Sequence, residues 1–264
     1  MSEAMNLVYQ SIDEQHADKS AHTRRTLVKG AAAAVGGMGL LSIMPDKADA
    51  RFGTPQEILN IAATAEVLAT IVNTVGPEKV DLGDAVTKRN VQSAAREELV
   101  HYNVLVSSAI GGKPLTKRIW IPDAVFASRT SLLETLEVGD QIFVNAYLIA
   151  TSVFGYMRKG YLARVAAEFM AVEAVHRALA RQSLGKLGND RVFMKFVQRE
   201  RFNMQSPNAG TPGFVDIRTA VAQLQAAGFG FGVQGSGTPG QFYDFDTVSQ
   251  RTPTDPDLNT FSPA

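Results

Sequence analysis

Glu173-Ala174-Val175-His176 places a carboxylate and an imidazole three residues apart within a long helical pattern. That pattern runs from Leu162 to Leu184 without proline or glycine. Residues three apart on a helix project from the same face, so one metal ion can be bound by both side chains. The same spacing recurs at Glu98-Leu99-Val100-His101, again inside a helical pattern.

Composition excludes several kinds of site. The 264 residues are 45% hydrophobic, enough for one sizeable core. Lys plus Arg and Asp plus Glu both number 26, so the net charge gives no reason to expect a nucleic-acid partner. The chain has no Cys, which excludes a thiol nucleophile, an iron–sulfur cluster and a Cys-ligated zinc.

The first fifty residues have the layout of an export signal. A basic stretch, Thr23 to Lys29 with the pair Arg24-Arg25, precedes an apolar segment from Gly30 to Met44 and the small-residue run Ala48-Asp49-Ala50. This order resembles a twin-arginine signal peptide, so we expect residues 1–50 to be cleaved off and the mature chain to reach the periplasm or cell envelope. The alternative is an uncleaved membrane anchor, although the apolar segment is short for a span of about 20 residues.

The next part of the chain predicts four long helices. Thr54-Pro55-Gln56-Glu57 is a helix start with a capping box, and Gly76-Pro77 is a stop signal. A connection of nearly twenty residues, 111–128, separates two helical hairpins. The pattern therefore predicts an all-α four-helix bundle without strands, in which a long crossover joins helices 2 and 3. The four helices are expected over Thr54–Val75, Thr87–Ser108, Arg129–Met157 and Tyr161–Leu184.

Beyond the bundle the helical pattern weakens. A short helix over Val192–Arg201 is expected to complete a domain of residues 51–204. Residues 205–264 predict one short helix, at 214–227, and a Gly/Pro-rich extended or disordered tail. A packed arm that wraps the bundle is the alternative, because the tail contains five aromatic residues that can dock: Phe229, Phe231, Phe242, Tyr243 and Phe245.

Two further helices can complete a site with the Glu-x-x-His motifs. Glu66 has apolar or small residues as its helical neighbours and should face the core. The two motifs lie 75 positions apart, which suggests a duplicated hairpin, and the counterpart of Glu66 then falls on Asp140-Gln141. Asp140 is the favoured ligand because it is anionic there, with Gln141 and Glu137 as alternatives.

The resulting pattern resembles the ferritin-like di-iron carboxylate proteins. Leu59-Asn60-Ile61-Ala62 and Asn145-Ala146-Tyr147-Leu148 are in addition similar to exported bacterial ferritin-like domains related to plant desiccation-associated proteins. The resemblance implies two ions of iron or manganese, bridged by Glu98 and Glu173. The family has Glu on the third helix where this chain has Asp140. The expected metal ligands are Glu66, Glu98, His101, Asp140, Glu173 and His176.

The function expected from this resemblance is an exported ferritin-like protein with a di-iron or di-manganese centre and a stress-related oxidase activity. Two alternatives stay open: a non-catalytic structural or interaction protein of the envelope, and manganese-catalase-like removal of peroxide. The fold does not decide whether the protein is an enzyme. The expected partners are metal ions and further copies of the chain, with no stable membrane span after signal cleavage.

Four neighbouring residues are assigned no role at the site. Glu97 is expected to be solvated beside Glu98. Arg177 and Arg181 are expected at the surface, with ion pairs to the ligand carboxylates as the alternative. Tyr147 is expected to be a core aromatic, with a radical role or a supporting role behind the ligands as the alternative.

Overall fold

A computed structural model describes residues 53–190, 192, 194–195 and 211–254. Four long helices dominate it: α1 (Pro55–Lys79), α2 (Ala85–Leu105), α3 (Arg129–Tyr156) and α4 (Gly160–Ser183). Short turns make the helices antiparallel within each hairpin, α1 with α2 and α3 with α4, and the segment 106–128 crosses between the hairpins. The predicted helical bundle is confirmed, and the expected signal peptide lies outside the described residues.

Side-chain caps explain where three of the four helices begin. Thr54 and Glu57 form the capping box that the sequence predicts, in which each side chain bonds the other residue's backbone N–H. Asp84 accepts from the backbone N–H of Thr87 at the start of α2, and Ser128 accepts from that of Ser131 at the start of α3.

The expected end of α1 at Val75 is wrong, because the helix continues through Gly76 and Pro77 to Lys79. Proline removes one backbone donor, but the chain beyond it can keep helical geometry, and the N–H of Val80 still bonds the carbonyl of Gly76 at 2.9 Å. Gly76 serves packing instead. A Cβ there would lie 2.7 Å from a methyl carbon of Leu132, so glycine lets α1 approach α3 closely.

The crossover is not free of strands, which corrects the prediction of a strandless region. It contains β1 (Arg118–Pro122), followed by a 3-10 turn at Asp123–Phe126. β1 pairs antiparallel with β4 (Gly230–Phe231) on one side and with β5 (Gly240–Asp244) on the other. Its alternating Ile119 and Ile121 are fully buried.

The C-terminal part forms the packed arm that was the alternative to a disordered tail. In its described part, residues 211–254, α5 (Ile217–Ala226) lies where a helix was predicted, and α6 (Phe245–Val248) follows β5. Phe229, Phe231 and Phe245 are buried, and the ring of Phe245 lies 4.3 Å from that of Tyr102 on α2. The arm therefore covers the bundle from the side of the crossover.

One short prediction fails between the bundle and the arm. Met194–Lys195 forms β2, which pairs in parallel with β3 (Thr211–Pro212), rather than part of a helix over Val192–Arg201. Most of that stretch lies outside the described residues.

Helix α1 has the length and composition of a membrane span, but 83% of its most apolar window is buried inside the protein. It is surrounded by the other helices and the arm, as a core helix is.

Candidate metal centre

The four long helices bring the six predicted ligand residues together in the bundle core. Helix α1 supplies one carboxylate, α3 supplies another, and α2 and α4 each supply the Glu and the His of a Glu-x-x-His motif. Every one of the six side chains is buried, with residue exposures of 7% or less. They are Glu66, Glu98, His101, Asp140, Glu173 and His176.

Four of these residues form the first half of the centre: Glu66, Glu98, His101 and Glu173, whose ligand atoms lie within 4.8 Å of one another. The Nδ1 atom of His101 is 3.3 Å from Glu98 Oε2, 3.3 Å from Glu173 Oε1 and 3.6 Å from Glu66 Oε2. One position between these atoms can therefore be reached by three carboxylates and an imidazole.

The second half consists of Glu98, Asp140, Glu173 and His176, again with ligand atoms within 4.8 Å of one another. The Nδ1 atom of His176 is 3.2 Å from Glu98 Oε1 and 3.6 Å from Glu173 Oε2. Glu98 and Glu173 thus turn one oxygen toward each histidine. This is the geometry that a bridging carboxylate needs.

The third helix places Asp140 in the cluster, whereas Glu137 is engaged in ion pairs. Asp140 belongs to the second half, whereas Glu137 forms ion pairs with Arg181 and Lys186. Gln141 is buried as well, but its amide is uncharged and makes a poorer ligand than a carboxylate. Of the three candidates, Asp140 has the position that a ligand requires, and its ligation stays a prediction.

Eight polar atoms of the cluster have no hydrogen-bond partner among the described residues. Leaving such buried atoms unpaired is costly, so native proteins satisfy nearly all of them or use them to bind something. The unpaired atoms of the predicted ligands lie close together in the two groups, an arrangement that fits bound cations. These atoms are Glu66 Oε2, both Glu98 oxygens, His101 Nδ1, Asp140 Oδ2, both Glu173 oxygens and His176 Nδ1.

The cluster holds protons tightly in the absence of a cation. Burial, reinforced by the neighbouring Glu98 carboxylate, raises the pKa of Glu66 to about 8. Burial also raises the pKa of Asp140 well above its usual value. Four carboxylates cannot all be ionised here without compensating positive charge, and two divalent ions would supply the four charges needed.

Both histidines are affected by the same crowding of carboxylates. Burial by itself would lower the pKa of His101, but Glu66, Glu173 and Glu98 together raise it well above its usual value. For His176, burial is likewise outweighed by hydrogen bonding to Glu173, Glu97 and Glu98. The positive charge that the carboxylates favour on each ring is the charge that a metal ion would replace.

Glu97 is a functional neighbour that sequence reasoning missed. It was expected in solvent, but its Oε2 lies 2.6 Å from His176 Nε2, and its side chain is only 35% exposed. Although burial alone would raise the pKa of Glu97, its bonds to His176 and Ser93 lower it. Glu97 therefore fixes the His176 ring, as carboxylates behind metal-binding histidines do.

Tyr147 does more than fill the core, which favours the alternative of a supporting role behind the ligands. Its hydroxyl donates a short hydrogen bond to Glu66 Oε1, and burial together with the Glu66 charge raises the pKa of Tyr147 well above its usual value. The ring of Phe169 contacts two other rings of this half. It stacks on His101 with 4.0 Å between ring centroids and lies edge-on to Tyr147 with 5.6 Å between ring centroids.

Arg177 and Arg181 are buried rather than at the surface, which corrects the sequence expectation. Arg181 pairs with Glu137 and Asp190, and Arg177 donates to the backbone carbonyl of Asp190 at 3.2 Å. This ion-pair network lies on α3 and α4, just beyond the second half of the centre. It accounts for Glu137 and removes that carboxylate from the set of ligands.

Comparison with known proteins agrees with the helical fold of this region. A family model described as a ferritin-like domain matches residues 54–186, half of the chain, and the matched range contains all four long helices and the six clustered residues. No curated protein and no solved structure matches the chain.

Proposed function

The chain belongs to the ferritin-like domain family, and we propose that it binds two ions of iron or manganese between α1, α2, α3 and α4. The observation that carries the proposal is the placement of Glu98 and Glu173. Each has its two oxygens divided between His101 and His176, at distances of 3.2–3.6 Å. A carboxylate divided in this way between two histidines is well placed to bridge two ions.

The donor set favours these two metals. Carboxylate oxygens suit hard cations such as calcium and magnesium, whereas imidazoles shift the preference toward transition metals. Four carboxylates and two imidazoles form a site of intermediate hardness, without the thiolates that zinc or copper(I) often use. Iron and manganese fit such a site, and the four carboxylate charges balance two divalent ions.

When bound, such a pair of ions would supply redox chemistry with dioxygen or peroxide. On that ground we propose an oxidase activity. The chain's own residues hold and protect the site. Glu97 orients the His176 ring. Tyr147 stays protonated and donates a hydrogen bond to Glu66, and Phe169 covers His101. Burial of all six ligands keeps bulk water away from the site.

Elemental analysis tests the metal proposal. Protein purified from its native compartment should contain close to two ions of iron plus manganese per chain. Glu173→Gln should reduce that content to less than half, whereas Glu168→Gln, on the exposed face of the same helix, should leave it unchanged. Absence of both metals from the wild-type protein, or equal contents in the two variants, would overturn the proposal.

We further propose that the protein is exported by the twin-arginine route and functions in the periplasm or cell envelope. The support is the ordered layout of Arg24-Arg25, the apolar segment and Ala48-Asp49-Ala50. Replacing both arginines with lysine should leave the full-length precursor in the cytoplasm, as judged by cell fractionation. Unchanged delivery of the double variant to the envelope contradicts this route. A link to desiccation rests on the sequence resemblance alone and stays a prediction.

A further inference from the structure

A pocket of about 150 Å³ lies beside the second half of the metal centre. Helices α1 and α3 form its inner walls, and the crossover and the arm cover it from outside through residues such as Val125 and Phe229. The pocket therefore exists only because the arm packs onto the bundle. Asp140 lines it and also belongs to the metal cluster, so the two spaces share one residue.

The lining is mostly apolar and contains one unsatisfied acceptor on α1. Asn73 is buried, with an exposed fraction of 3%, and its Nδ2 donates a hydrogen bond to the backbone carbonyl of Ala69 at 3.1 Å. This bond fixes the orientation of the amide. It leaves Asn73 Oδ1 without a hydrogen-bond partner among the described residues. A ligand that supplies a donor to this buried amide oxygen should bind more tightly than one of the same size without a donor.

Size and charge define what the pocket can take. An apolar cavity of about 150 Å³ accommodates a molecule the size of benzene. Among the described residues, the lining contains the carboxyl groups of Glu134 and Asp140 and no Lys, Arg or His, so no positive charge in it would balance an anionic ligand. The apolar remainder of the lining disfavours a cation, which would lose its hydration.

We infer that this pocket binds a small, neutral, mostly apolar molecule of benzene size that carries one hydrogen-bond donor, such as a phenol, with the donor bonded to Asn73 Oδ1. Binding itself depends only on the pocket and does not require metal. That the pocket is the substrate site of the protein rests on the proposed metal centre, to which Asp140 connects it.

Calorimetric titration of the full-length, metal-depleted protein with phenol, toluene and benzoate tests the binding. These three probes are close in size and differ in donor and charge. Phenol and toluene should bind, and benzoate should not. Asn73→Leu, which keeps the shape of the side chain but removes the acceptor, should weaken phenol binding about three- to tenfold and leave toluene binding no weaker. An unchanged phenol-to-toluene ratio in this variant would overturn the role of Asn73.

A blocking variant with a matched control tests the location. Gly139 lines the pocket on α3, and a Cβ there would meet nothing within 4 Å. A helical side chain leans toward the preceding turn, so Gly139→Leu should extend toward Thr135 and Leu136, which also line the pocket. Binding of phenol and toluene should be lost. Gly155→Leu makes the same change at an exposed position of the same helix and should bind both like the wild type. Wild-type binding by Gly139→Leu would overturn the assignment.

Failure of the pocket and failure of the metal centre give different results. If phenol does not bind the metal-depleted wild type, the pocket inference fails whatever the metal content of the native protein is. If phenol binds but manganese-loaded protein does not shorten the NMR relaxation times of bound phenol, the binding pocket is supported and its role as the substrate site is contradicted. Enhanced relaxation that is absent from metal-depleted protein supports both.

Discussion

The two halves of the candidate metal centre have matching sets of residues but different surroundings. The first half, around Glu66 and His101, is closed by the rings of Tyr147 and Phe169. The second half, around Asp140 and His176, is backed by the partly exposed carboxylate of Glu97. Asp140 and His176 also line a small cavity of about 20 Å³, which has room for one water molecule.

This difference assigns the halves different duties. Tyr147 has a raised pKa and keeps its proton, so the first half has a fixed donor and an aromatic cover. The second half has a shorter carboxylate and lies next to the apolar pocket. We therefore expect the first half to hold its ion firmly, and the second half to exchange its ion more readily and to meet ligands.

The largest effect should come from a residue that both halves share. Glu98→Ala removes one oxygen from each histidine's group, so neither half keeps a full set of ligands. Both ions should be lost, together with the stabilisation that they give the folded state, which is about 2.7 kcal/mol for each ion at a free metal concentration of 100 times its Kd. Metal analysis and thermal unfolding with and without added manganese measure this. Retention of two ions contradicts the bridging geometry.

Substitution of a residue that belongs to only one half should remove one ion. Glu66→Ala should leave the ion of the second half in place, and Asp140→Ala should leave that of the first. Gln141→Ala, which removes the uncharged side chain next to Asp140, should keep two ions. The measurement is the ratio of metal to protein. Equal metal content in Asp140→Ala and the wild type would show that α3 contributes no ligand, and would break the correspondence between the halves.

Much of this centre could be predicted because its information is local. The i, i+3 spacing of Glu98 and His101, and of Glu173 and His176, fixes which side chains share a helix face, whatever the rest of the fold does. Glu66 could be identified because a carboxylate among apolar helical neighbours faces the core. Asp140 needed a comparison between the two hairpins, since its own helix does not distinguish it from Gln141.

What the sequence concealed depends on distant partners. β1 pairs with strands more than a hundred residues further along the chain, so its brief alternation at Ile119 carried little weight alone. Arg181 is buried because Glu137 on the other helix of its hairpin neutralises it. Glu97 meets His176 only when α2 and α4 pack together, and no local rule anticipates that contact.

A smaller effect is expected from Glu97, because it supports a ligand without being one. Glu97→Gln keeps the size of the side chain but removes the charge behind His176, and such changes typically weaken metal affinity about 10- to 100-fold. Competition titration with a chelator should show the loss for one ion of the two. Glu168→Gln, exposed on α4, is the control and should match the wild type. If both ions weaken equally, the halves are not independent.

The smallest effect concerns Gly139, which precedes Asp140 within α3. Glycine inside a helix costs up to about 1 kcal/mol relative to alanine, because the unfolded chain has more freedom to lose. An added Cβ would meet nothing within 4 Å at Gly139, and the same holds at the exposed Gly155 on the same helix. Gly139→Ala and Gly155→Ala should each raise the free energy of unfolding by about 0.5–1 kcal/mol in chemical denaturation.

Metal content turns this pair of variants into a test of the second half. If the backbone at Gly139 merely bears the ordinary cost of glycine, both alanine variants should keep two ions per chain. If Asp140 needs local freedom of its helix to bind and release an ion, Gly139→Ala should gain stability but change the exchange rate of the second ion, while Gly155→Ala should not. We expect the first result, because Asp140 already lies within the ligand cluster and its helix is continuous there. A change in the exchange rate of the second ion in Gly139→Ala alone would show that this exchange depends on the flexibility of the α3 backbone rather than on the surroundings of the second half.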